Sequence, residues 1–122
     1  WVFQLSTSNA ATVALNSTSG TNSLVVNTTN TFTDTNNWHH YAFTYDGSSG
    51  PSGVRIYVDG VQEATSASFN SLSATIVDAT VPFQIGARDG ADSPFGGLVD
   101  DARIYNRVLS STEINRLYLM GR

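Results

Sequence analysis

Two adjacent carboxylates, Asp100 and Asp101, and two adjacent imidazoles, His39 and His40, are the side chains of this 122-residue sequence whose types and spacing most invite a chemical reading. A carboxylate pair can divide general-acid and general-base work, and an imidazole pair can chelate a metal. Either task needs both groups to reach one point. Both pairs lie in runs that alternate like β-strands, where consecutive side chains leave opposite faces. Asp100 and Asp101 cannot then act together without a bulge, and one ion is not readily held by both histidines. Each histidine is expected as a hydrogen-bonded core or cleft residue.

Catalysis fares no better elsewhere. Glycoside hydrolysis needs two carboxylates flanking the scissile bond. The only glutamates are Glu63 and Glu113, and neither has a carboxylate at i+2 or i+4. No G-x-S-x-G elbow marks a serine nucleophile. The sequence therefore reads as non-catalytic. Trp38 and Tyr57 have faces that could stack on a sugar ring, although an aromatic in an all-β chain more often fills the core. Asn16-Ser17-Thr18 and Asn27-Thr28-Thr29 are glycosylation sequons by pattern, which arise easily by chance in a chain so rich in Ser, Thr and Asn.

These residues must be positioned by short strands. Apolar alternations recur between turn clusters, the pattern of a sandwich or barrel. Strands are expected over residues 1–5, 12–15, 24–26 and 38–46, the last ended by Asp46-Gly47. In that fourth run, period two sets His39, Tyr41, Phe43 and Tyr45 on one face and Trp38, His40, Ala42 and Thr44 on the other. Val54, Ile56 and Val58 face one way and Arg55, Tyr57 and Asp59 the other. Asp59-Gly60 signals a two-residue hairpin, because a type I′ turn needs positive φ at both central positions. The return strand is expected over 61–65. Residues 70–80 are ambiguous, with a short strand around 74–77. Pro82 sets the start of an edge strand over 81–86, and residues 88–94 form a polar, acidic loop. Residues 98–105 read as the last long strand. The one helix is expected over 110–118, where Ser110 and Glu113 form an S-x-x-E capping box and Ile114, Leu117 and Tyr118 make an apolar stripe.

Composition narrows the partners. The length supports one hydrophobic core, hence one domain over 1–122. A net charge of −4, with all six basic residues scattered arginines and no lysine, argues against nucleic acid. There is no cysteine, so neither a disulfide nor a thiolate metal site is possible. No apolar run approaches the ~20 residues of a membrane helix, so no membrane insertion is expected. The sequence opens at Trp1 rather than Met, which suggests a piece of a longer polypeptide.

Four blocks in order carry a family resemblance. WHHYAFTYDG at 38–47 resembles the WHHVAxTYDG strand of laminin-G-like jelly rolls, and VRIYVDG at 54–60 is similar to the hairpin that follows it. FQIG at 83–86 and GLVDDARIYNRVLS at 97–110 are similar to the two later blocks, with Glu113-Ile114 completing the helix start. The resemblance covers about two thirds of the chain. It implies an all-β, two-sheet antiparallel jelly-roll sandwich of the laminin-G and concanavalin-A-like type, with one short C-terminal helix. It also implies that further strands precede Trp1, so that the domain is N-terminally incomplete and its sheets are finished by preceding residues or by another chain.

Function is expected to follow the fold. The resemblance implies a structural calcium held in part by the acid before the last strand, and Asp100 stands there. The competing expectation is a carboxylate that caps loop amides. A jelly roll would bring Asp46 and the loop with Arg88, Asp89 and Asp92 to the sandwich rim, where ligand-binding loops concentrate. Together with Tyr57 these are the candidate ligand contacts. The resemblance implies a recognition or adhesion module that binds glycan or a surface protein through the loop rim or the concave face. The competing expectation is a structural appendage, a fibre, spike or decoration domain of a virion or bacterial surface, acting through assembly with other copies of itself. Either places it outside the cell, on a cell surface or on a virion.

Overall fold

The computed structural model describes residues 1–18, 22–73, 83–87 and 94–121. The expected strands over 74–77 and the start of the edge strand at Pro82 lie outside the described residues, as does the loop with Arg88, Asp89 and Asp92.

Two antiparallel sheets make a jelly-roll sandwich. The first holds strands β1 (Val2–Leu5), β2 (Ala11–Thr18), β3 (Asn22–Thr28) and β7 (Thr65–Asn70) in that spatial order. The second holds β4 (Tyr41–Tyr45), β5 (Val54–Val58) and β6 (Val61–Gln62). Period-two patterning explains the core between them. Ala11, Val13 and Leu15 on β2 and Leu24 and Val26 on β3 meet Val54 and Ile56 on β5, with Leu72 closing one side. Tyr41, Phe43 and Tyr45 lie against this cluster as the sequence pattern anticipates. Aromatic edges join the sheets at one end: Phe43 meets Phe3 with ring centroids 5.0 Å apart and Trp1 at 5.4 Å.

The second sheet is covered on its other face too. Ala42 and Tyr57 are directly opposed across β4 and β5. Tyr57 packs with Leu109 and Ile114, and Ala42 and Leu117 flank them. This second cluster seats helix α1 (Ser111–Met120) on the outside of the sheet. The capping box forms as the sequence predicts: Ser110 Oγ accepts from the Glu113 amide, and Glu113 accepts from the Ser110 amide. Arg107 adds a two-pronged ion pair to Glu113, its closer contact 2.6 Å long.

The turn between β5 and β6 follows expectation, with φ of 50° at Asp59 and 78° at Gly60. The return strand is shorter than its expected span, ending at Gln62, because the chain then crosses to the first sheet and pairs with β3 as β7. The crossover makes a strand that the sequence did not mark: β7 pairs through its backbone while its side chains stay exposed.

Two expected strands do not form over the described residues. Residues 83–86 are not a strand, and Phe83 and Ile85 are more than half exposed. Residues 98–105 are irregular as well. Asp101 adopts a positive φ of 53°, which breaks the extended run. Its amide is taken by Asp100 Oδ1 at 2.8 Å, and its carboxylate turns back to grip Arg103 through Nε and Nη2, each at 2.8 Å. Local side-chain bonding of this kind competes with sheet pairing. It leaves Leu98 79% exposed and Ile104 65% exposed.

Candidate functional site

Of the groups expected to contact ligand, the two among the described residues, Asp46 and Tyr57, do not converge. Asp46 caps its own loop. Its Oδ1 accepts from the Ser48 amide at 2.9 Å, its amide donates to the Gly53 carbonyl at 3.1 Å, and the Gly53 Cα leaves no room for a Cβ beside the carboxylate. The Ser48 side chain and amide hold its carboxyl below the usual range. Tyr57 is 1% exposed and faces Leu109 and Ile114, with its hydroxyl 3.5 Å from Gln62 Oε1, so it offers no face to solvent. Arg88, Asp89 and Asp92 lie outside the described residues.

Asp100 is exposed, and one of its oxygens is engaged by the Asp101 amide. Calcium requires six to eight hard oxygens. Among the described residues no three of His, Cys, Asp and Glu gather where they could hold a metal ion. The Asp101 carboxylate is committed to Arg103, so the described residues do not fit a calcium site at Asp100.

A tighter constellation lies between the loop ahead of β4 and the β5–β6 turn. Antiparallel register pairs Tyr41 with Val58. Continued one step, it sets His40 opposite Asp59 and brings His39 beside it. The Asp59 amide donates to the His40 carbonyl at 2.8 Å, and the His40 amide donates to Asp59 Oδ1 at 2.9 Å. The second Asp59 oxygen lies 2.8 Å from His39 Nδ1. From the other side, Asp34 Oδ2 lies 3.5 Å from His39 Nε2. Asp34 is itself fixed in an Asx-type turn, with Oδ1 accepting from the Asn36 amide at 2.9 Å and Oδ2 from the Asn37 side chain at 2.8 Å.

The electrostatics follow from those contacts. The hydrogen bond to Asp59 pushes the His39 imidazole above its ordinary value, against a smaller opposing effect of burial. The Asn37 side chain and the Asn36 amide hold Asp34 low. His40 behaves oppositely: burial pushes it down, and its Nδ1 is buried with no hydrogen-bond partner among the described residues. Its ring lies 6.2 Å from that of Tyr118 on α1.

The fixed loop presents Trp38, which is 66% exposed, next to the exposed Asn36 and Asn37. Sequence reading weighed Trp38 for sugar stacking and missed Asp34 and Asp59 as its scaffold. The signal was available in the hairpin register, which sets residue 59 opposite residue 40. No pattern in the sequence marked Asp34.

A second feature is a shallow groove beside α1, lined by Tyr105, Arg107, Leu109, Glu113, Arg116 and Leu117. Arg107 and Glu113 neutralise each other there. Neither glutamate is placed for acid–base work: Glu113 serves the helix cap, and Glu63 accepts from the Asn30 side chain at 2.7 Å.

Comparison with known proteins adds the family. A model of the laminin G type, described as the concanavalin A-like lectin/glucanases superfamily, matches residues 1–115. No curated protein and no solved structure matches the chain.

Proposed function

Because the chain belongs to the concanavalin A-like lectin/glucanase superfamily, we propose that it is a non-catalytic recognition module that binds glycan through the rim loop carrying Trp38. The observation behind this reading is Trp38 itself, a large aromatic left two-thirds exposed on a loop pinned by side-chain hydrogen bonds. A sugar ring offers an apolar face of C–H groups and an equatorial fringe of hydroxyls. An open indole suits the first, and the neighbouring amides of Asn36 and Asn37 suit the second. Pinning matters because ordering a loose loop on binding costs affinity. An extracellular, cell-surface or virion setting accords with this role.

A glycan array probed with the wild-type chain and with Trp38→Ala tests the proposal. The expected result is saturable binding to a restricted set of glycans, reduced at least tenfold by the substitution, which corresponds to about 1.4 kcal/mol. Equal binding by both proteins would remove Trp38 from the site. No binding by either would reject the glycan reading.

A second reading is favoured by a different observation. Leu98, Val99, Ile104 and Val108 are exposed on a stretch that pairs with no strand among the described residues. Contiguous exposed apolar side chains mark protein contact surfaces. A structural appendage assembling from copies of this chain would cover them. Sedimentation velocity over a concentration series separates the readings, since an assembling appendage forms concentration-dependent oligomers and a lectin of the first kind stays monomeric.

A further inference from the structure

We propose that His39 is a proton-operated latch that fastens the loop bearing Trp38 to the β5–β6 turn. The geometry sets the sign of the device. Asp59 Oδ2 is a carboxylate oxygen and can only accept, so His39 Nδ1 keeps its proton in either charge state. The proton that comes and goes therefore sits on Nε2. Among the described residues that atom has no close hydrogen-bond partner, and its nearest carboxylate oxygen is Asp34 Oδ2 at 3.5 Å. Protonated, Nε2 turns a positive N–H toward the Asp34 carboxylate. Deprotonated, it turns a lone pair toward the same negative oxygen, and the attraction becomes repulsion.

The groups around the ring agree on this direction. Asp34 faces it from the loop and Asp59 from the turn. The Tyr41 ring on β4 meets it edge-on at 6.2 Å, with its own hydroxyl pushed up by burial and so uncharged in the histidine range. The neighbouring His40 is driven toward its neutral form by burial and adds no competing positive charge. The turn side of the latch is braced by a backbone bond from the Asp59 amide to the His40 carbonyl and by the His40 amide donating to Asp59 Oδ1, whereas the loop side is held at Asp34. Loss of the Nε2 proton therefore frees the loop and leaves the hairpin intact. The lever is short: Asp34, the Asn36 and Asn37 pair it holds, and Trp38 are all within six residues of His39. A surface that binds through Trp38 would be ordered in mildly acidic surroundings and loosened in alkaline ones.

The test uses no ligand, so its outcome is independent of the glycan reading. Nitrogen-15 NMR of the imidazoles gives the His39 midpoint and locates the titrating proton. Amide shifts of residues 33–38, together with Trp38 emission in a Trp1→Phe background, report the loop across the same range. The expected result is a His39 midpoint above the ordinary 6.5, titration at Nε2, and loop signals that follow the same curve. Asp34→Asn keeps the Asx acceptor but removes the charge; it should lower the midpoint and abolish most of the loop response while the Asp59 amide signal stays put. A His39 that titrates at Nδ1, or loop signals that stay flat through its titration in a folded wild-type chain, would overturn the proposal. A loop response of full size in Asp34→Asn would overturn it as well.

Discussion

Gly60 lies directly beneath Asn115. A Cβ built at position 60 would stand 3.2 Å from the Asn115 Cα and 2.9 Å from its side-chain nitrogen, with the Tyr118 ring at 3.0 Å. Helix α1 therefore rests on the β5–β6 turn itself as well as on Tyr57. The same glycine has a φ of 78°, so one residue satisfies both the turn and the close approach of the helix.

Gly60→Ala combines left-handed strain with a clash against helix backbone that cannot give without moving α1. The strain alone costs about 1–2 kcal/mol. Urea unfolding should show a loss of about 2–3 kcal/mol once the contact is included. Gly47→Ala, which has a φ of 85° and nothing within 4 Å of its Cβ, should lose only the strain. Equal losses at the two positions would mean that α1 does not bear on the turn.

Helix docking depends on one buried residue and one cap. Ile114 is 1% exposed between Tyr57 and Leu109, so Ile114→Ala should cost about 2–5 kcal/mol. Ser110→Ala removes the acceptor for the Glu113 amide and should cost about 1 kcal/mol. Leu119→Ala, on the open side of the same helix, should stay within about 0.5 kcal/mol. Chemical denaturation of the three variants checks the order.

The two histidines should tilt stability in opposite directions with pH. His39 is raised, so its contribution is fully present below the ordinary histidine value and is lost as the pH rises through the raised one. His40 is lowered by burial. Its neutral form is the favoured one, so stability is lost as the pH falls from the ordinary value through the lowered one. Urea midpoints taken between about pH 5 and 8 should therefore lose their alkaline decline in His39→Gln and their acidic decline in His40→Gln. At much lower pH a further decline is expected as Glu113, held down to about 2 by Arg107, takes up a proton and releases the cap.

How much of this was legible in the sequence varies by element. The hairpin of β4 and β5, the Asp59-Gly60 turn and the capped helix are specified by local patterns: strict alternation, a dipeptide suited to positive φ, and S-x-x-E. Their side chains fall on the expected faces, Tyr57 included. The irregular course of residues 98–105 was not legible, since the apolar Leu98, Val99, Ile104 and Tyr105 at its ends read as strand. What decides against a strand is that Asp100 and Arg103 bond locally to Asp101. The Asp34–His39–Asp59 cluster was half legible, because the register fixes the contact between 39 and 59, whereas the Asp34 contact depends on the path of a loop.

Asp100 is where calcium binding can be put to the test. A lone exposed carboxylate with one oxygen already accepting from a backbone amide supplies too few of the ligands that calcium needs. Thermal melts of the chain should be the same with added calcium as with a chelator. Anything that binds the folded state alone raises stability with its concentration, so even a modest site would show as a rise in midpoint. A calcium-dependent rise that vanishes in Asp100→Asn, but persists in Asp46→Asn, would place the ion at Asp100 and bring further oxygens to it. A rise that survives both substitutions would place it elsewhere on the chain.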